Sequence, residues 1–89
     1  MQIASYSAVR HILFHKWDPL GVGENPKLSD EYDRYVPEIA RMVNNGTSIL
    51  LIAERLGEIE KALSAEIAAD KRMRAAALLI KLRSGHLAC

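Results

Sequence analysis

Apolar residues recur at helical spacing in four stretches of this chain, and nowhere do they alternate with period two for long enough to predict a strand. In the first stretch Tyr6, Val9, Leu13 and Trp17 fall on one arc, widened by Ile12 and Phe14, which predicts a helix from about Ser5 to Lys16. Asp18-Pro19 and Gly21 end it. The second pattern starts at Ser29, a good N-cap, with Asp30, Glu31 and Asp33 set favourably against the helix dipole. Tyr32, Tyr35, Val36, Ile39, Met42 and Val43 share its apolar side. Pro37 interrupts it, and a stripe continuous on both sides favours a kink there over a helix start just before it. Asn44-Asn45-Gly46 is a stop. The third helix, capped by Thr47 or Ser48, runs to about Leu63 on the stripe Ile49, Ile52, Leu56, Ile59, Leu63. The fourth is expected from near Ser64 to Ser84-Gly85.

That fourth helix is apolar on two sides. Ile67, Ala75, Leu78, Leu79 and Leu82 make one, and Ala69, Met73, Ala76 and Ile80 part of another. Such a helix is either deeply packed or meets a second chain. The second possibility predicts a homodimer through helix 4. Between helices 1 and 2, residues 17–29 form a long loop with turn chemistry at Gly21, Gly23, Asn25 and Pro26 and apolar anchors at Val22 and Leu28. The expected architecture is therefore all-α: a small four-helix domain, residues 1–89, with a long ordered loop between helices 1 and 2.

Composition narrows the classes. At 89 residues there is room for one domain. A net charge of +1 exerts no global pull on nucleic acid or anionic membrane. The charge is divided, however. Residues 30–63 carry seven acidic and four basic side chains, and residues 64–89 two acidic and five basic. An acidic hairpin packed antiparallel on a basic helix would use that asymmetry. The single cysteine, Cys89, excludes an intramolecular disulfide. No apolar run approaches the roughly 20 residues of a membrane span, and the first residues lack a signal-peptide pattern. The expectation is a cytoplasmic protein.

Few residues suggest chemistry. His11 and His15 lie four apart on the polar side of helix 1, a spacing able to chelate a metal. Asp18 or His86 could add a ligand, but no second Cys or His pair supports the site, and no metal or cofactor is expected. Glu60 falls inside the third helix's apolar stripe, where a carboxylate needs donors. The Trp17 indole, a tyrosine hydroxyl or loop N–H groups could supply them. The favoured role is a clasp for the Trp17 loop. The alternative is a ligand or general-base carboxylate in a pocket near Trp17, Tyr32, Tyr35 and Glu60. Ser48 to Gly57 has the look of the first helix of a helix-turn-helix, but Glu58-Ile59-Glu60 continues it and is acidic, so nucleic-acid binding is disfavoured. Gly21-Val22-Gly23 follows no strand and is not a phosphate loop. Cationic Lys71, Arg72, Arg74, Lys81 and Arg83 read as a solvated helix face.

Trp17-Asp18-Pro19-Leu20-Gly21-Val22, followed by Asp30-Glu31-Tyr32-Asp33-Arg34-Tyr35 and then Pro37 and Ile59-Glu60, resembles a family of small bacterial proteins, the domain-of-unknown-function family 1871. The likeness covers about Phe14 to Leu63, with Leu20 where isoleucine is usual. It implies a small helical fold and bacterial origin, and it carries no catalytic residue across.

The functional expectation is a non-enzymatic interaction module, possible in an immunity- or antitoxin-like form. In it Asp18, Asp30, Glu31 and Asp33 would bind a basic protein partner. Trp17, Pro19, Gly21, Val22, Tyr32, Tyr35 and Glu60 would form the structural clasp. A small-ligand site or enzyme near Glu60 and a helix-turn-helix-like DNA binder are the alternatives.

Overall fold

The structure is a computed structural model, and it describes residues 4–22, 25, 27, 30–65 and 67–84. Gly23, Pro26, Leu28, Ser29, Gly85, His86 and Cys89, which figure in the expectations above, lie outside the described residues. The fold is all-α. Its helices are α1 (Tyr6–Ile12), α2 (Val36–Asn44), α3 (Ile49–Ala62) and α4 (Ala69–Ser84), with no strand among the described residues.

Ser5 caps α1 by accepting a hydrogen bond from the Ala8 N–H at 3.1 Å. Beyond Ile12 the chain winds wider, as a π turn over Leu13–Trp17, and the Asp18 N–H donates five residues back to the Leu13 carbonyl. Asp18 then turns left-handed at φ 36° and ends the helix. Val9, Ile12, Leu13, Phe14 and Trp17 are buried. Tyr6, expected on that apolar arc, is 59% exposed, at the edge of a depression it shares with Val36 and Pro37 of α2.

Pro37 does not kink a helix. A 3₁₀ turn over Asp33–Tyr35 leads into α2, and Pro37 stands in the first turn of α2. There its missing N–H would have had no intrahelical partner. The apolar stripe looks continuous because the 3₁₀ turn presents Tyr32 and Tyr35 to the same side as Val36 and Ile39. α2 closes where expected. Gly46, at φ 82°, donates to the Val43 carbonyl, and the Thr47 N–H reaches back to Met42. Ser48 caps α3 through the Leu51 N–H.

α3 ends by the same device without a glycine. Ser64 adopts φ 56°, its N–H donates to Lys61, and the Ala65 N–H bonds the Glu60 carbonyl at 2.8 Å. Ser64 therefore terminates α3 instead of starting α4, which begins at Ala69.

α4 packs on α1, the π turn, α2 and α3. Ala75, Ala76 and Leu79 are completely buried, while Met73, Leu78, Ile80 and Leu82 rest partly buried against the same core. Small side chains let several helices approach one central helix closely. Both sides of α4 thus contribute to the core, while Ala69 is exposed and Met73, Leu78, Ile80 and Leu82 keep part of their surface outside it. Side-chain contacts tie the ends in. The Asn44 amide brackets Ala4, accepting from its N–H and donating to its carbonyl. Arg83 donates to the carbonyls of Val43 and Thr47 at the end of α2. Among the described residues no helix is long and apolar enough to cross a membrane.

Candidate functional site

Glu60 organises the centre of the molecule. Helical spacing places it on α3 between Leu56, Ile59 and Leu63, and it is 2% exposed. One carboxylate oxygen accepts from the Trp17 indole at 2.8 Å and from Arg72 Nε at 2.9 Å, and the other accepts from an Arg72 terminal nitrogen at 2.6 Å. The bidentate geometry is the one a guanidinium makes best. Glu60 in turn holds Arg72 above the usual arginine range, chiefly through these hydrogen bonds. Gly57 lies beside this pair. A side chain there would meet the Arg72 guanidinium, which passes 3.5 Å from where a Cβ would stand.

The loop after the π turn is fastened by a second set of bonds. Asp18 accepts from the Val22 N–H at 2.8 Å and from the Tyr32 hydroxyl at 2.7 Å. That hydroxyl also accepts from the Leu20 N–H at 3.0 Å. Burial, more than the neighbouring Asp18 charge, pushes the Tyr32 pKa well above its ordinary value. The Trp17 and Tyr32 rings lie 5.4 Å apart, joining the two networks through packed aromatics. Gly21, at φ 69°, supplies the turn between Asp18 and Val22, closing on the Asp18 carbonyl. Val22 and Tyr35 are partly buried against the core, and Pro19 is half-buried.

These contacts redistribute the residues expected to bind a partner. Asp18 spends its carboxylate inside the loop. Asp33 forms an ion pair with Arg10 at 2.8 Å, off the line of an aligned hydrogen bond. Asp30 and Glu31 alone of the four are fully at the surface. Where the alternative expectation places a pocket, the Trp17 indole bonds Glu60 directly and packs against the Tyr32 ring. The opening that does reach Glu60 lies on the other side, between α3 and the start of α4. It is a groove of about 760 Å³ walled by Glu54, Gly57, Glu58 and Lys61 and by Ile67, Ala68 and Arg72.

α3 runs unbroken through Gly57 to Ala62, so the turn that a helix-turn-helix would need after Gly57 does not exist. His11 and His15 are exposed, and among the described residues no group of three or more metal-ligating side chains forms.

Two features were not foreseen. One is the role of Arg72, which in sequence belongs to a cationic face, although the division of charge between α3 and α4 points to pairing between them. The other is the outer face of α3. Leu50 and Leu51, adjacent on its first turn, are 68% and 54% exposed, with exposed Glu54 and Glu58 following on the same side. Their excess over the expected stripe was visible in the run Ile49 to Ala53.

No family model matches the chain, and no curated protein and no solved structure matches it.

Proposed function

We propose that this protein is a non-enzymatic interaction module, and that it engages a basic protein partner through the outer face of α3. The observation that carries the reading is the pair Leu50 and Leu51, exposed side by side, whereas the other large apolar side chains exposed among the described residues, Tyr6 and Leu20, stand apart on other elements. Apolar residues rimmed by charge are the usual composition of a contact patch. Glu54 sets its sign, joined by Glu58, which pairs with Arg55 at 3.2 Å, and Asp30 and Glu31 add acidic surface elsewhere. A cationic nuclease neutralised by an immunity-like partner is one concrete form, since acidic faces steer and hold basic sites. Kinship with the domain-of-unknown-function family 1871 and a bacterial origin belong to the same proposal and rest on the Trp17–Val22 and Asp30–Tyr35 residues, and a cytoplasmic setting is proposed with them.

Against catalysis at Glu60 stands its saturation. Three donors occupy its two oxygens, and breaking that pair to receive a substrate would strand a buried charge. The groove beside Arg72 supports a small-ligand reading only at its rim.

The test is affinity capture from cells of the source organism with the wild-type chain and with a Leu50→Lys/Leu51→Lys variant. A basic protein retained by the first and lost by the second is the expected result. Equal recovery by both, or recovery of nothing at low salt, would reject the proposal.

A further inference from the structure

We propose that His11 and His15 form a two-point chelating site for a divalent transition metal of tetragonal preference, copper(II) first. The two imidazoles are exposed, and their ring centroids stand 4.6 Å apart with planes tilted by 49°. With metal–nitrogen bonds of 2.0–2.1 Å, two imidazoles bound to one ion at right angles have centroids about 4.5 Å apart, whereas tetrahedral ligation spreads them to about 5.2 Å. With one nitrogen of each ring turned to a shared ion, the observed separation matches the right-angle value, the arrangement that copper(II) and nickel(II) favour.

The π turn explains why the rings face each other. In a regular α-helix, residues four apart are rotated by about 40° past a full turn. His15 lies inside the wider turn over Leu13–Trp17, where each residue advances by about 80°. Crossing from α to π between His11 and His15 brings their separation back to roughly one full turn, so one ring sits nearly above the other.

The surroundings leave room for an ion and its remaining water ligands. A surface depression of about 250 Å³ is lined by Ser7, Arg10, His11, Phe14 and His15. Phe14 meets the His15 ring edge-on at 4.9 Å and limits its rotation. Two cations adjoin the pair in sequence: Arg10 is drawn onto Asp33 at 2.8 Å, which offsets its repulsion of a bound ion, and Lys16, next to His15, is exposed and screened by solvent. The site is independent of the α3 face and of Glu60.

The test is titration of the full-length chain with copper(II) alone and with zinc(II) alone, followed calorimetrically and by the proton NMR signals of the histidine rings. The expected result is one copper ion per chain, selective broadening of the His11 and His15 resonances, and a rise in thermal midpoint on binding. Either His11→Ala or His15→Ala should weaken copper binding by on the order of tenfold or more, since each removes one arm of the chelate. Both positions are exposed, and unchanged circular dichroism would establish that the variants fold. Equal copper affinity in the wild type and the His11→Ala/His15→Ala variant would overturn the site, as would broadening confined to His86. Zinc binding as tight as copper would overturn the tetragonal assignment.

Discussion

A single carboxylate decides how the residues at the centre behave. Glu60 is buried, so its charge is tolerable only while Trp17 and Arg72 both donate to it. Glu60→Ala strands the Arg72 guanidinium and leaves the indole N–H without an acceptor. We expect it to cost about 3–5 kcal/mol in urea or thermal unfolding. Removing both charges by Glu60→Leu with Arg72→Met should cost less than Glu60→Ala alone, because nothing charged is left unpaired. Additive losses in that double-mutant cycle would contradict the clasp. Half of this was legible in the sequence. A carboxylate on an apolar stripe demands donors, and the only indole was an evident source. Arg72 was not singled out because helical spacing alone does not say which of five cations on α4 meets α3.

Tyr32 gives the centre a pH dependence. Its pKa is raised by burial, so the folded state favours the protonated phenol. The unfolded chain ionises at about pH 10. Below that pH the contribution is complete. As the pH climbs from there toward the raised folded value, the unfolded state loses its proton first and stability falls. Denaturation midpoints measured from pH 8 to 11 should therefore decline at the alkaline end. Tyr32→Phe should start lower, having lost the bonds to Asp18 and Leu20, and should decline less steeply. Parallel curves for the two proteins would remove Tyr32 as the cause.

At the scale of elements, two helices end in the same left-handed motif with different residues. Gly46 fits its φ of 82°, whereas Ser64 holds φ 56° with a side chain attached. A left-handed residue with a Cβ costs about 1–2 kcal/mol relative to the right-handed region. Ser64→Gly is accordingly expected to raise stability by roughly 0.5–1 kcal/mol, and Gly46→Ala to lower it by about 1 kcal/mol, both readable as shifts in thermal midpoint. The opposite ordering would mean that the surrounding contacts, not backbone conformation, govern these ends. The contrast also explains what the sequence could reveal about boundaries. Asn44-Asn45-Gly46 announces a stop through its composition. Ser64 does not, so α4 was expected to begin five residues early. The π turn left no readable trace either, since a single widened turn disturbs the apolar periodicity too briefly to register.

For the molecule as a whole, α4 turns apolar residues of both its sides toward the core, and the adjacent exposed pair Leu50 and Leu51 lies on α3, with Tyr6 and Leu20 exposed elsewhere. Any self-association should therefore respond to α3 and not to α4. Sedimentation velocity at high protein concentration should show Leu50→Lys/Leu51→Lys abolishing whatever association the wild type displays. Lys71→Glu and Lys81→Glu on exposed positions of α4 should leave it unchanged. A dimer that persists in the leucine variant would return the interface to α4. The helix count and the central stripe of each helix were legible from periodicity. Which face of which helix stayed uncovered was not, because that depends on how many neighbours each helix acquires, and one sequence does not state it.

The Trp17–Glu60 bond also has a bearing on the order of folding. It closes 43 residues of chain, and the Ala4–Asn44 contact closes 40, whereas Arg72 and Glu60 are only 12 apart. Short closures lose less chain entropy and form sooner. The α3–α4 hairpin, with Arg72 already on the carboxylate, is thus the natural nucleus, and α1 arrives with its tryptophan afterwards. φ-values should be higher for Arg72→Met than for Trp17→Phe. Because Trp17 is the only tryptophan, its fluorescence would register the last docking event and not the first collapse.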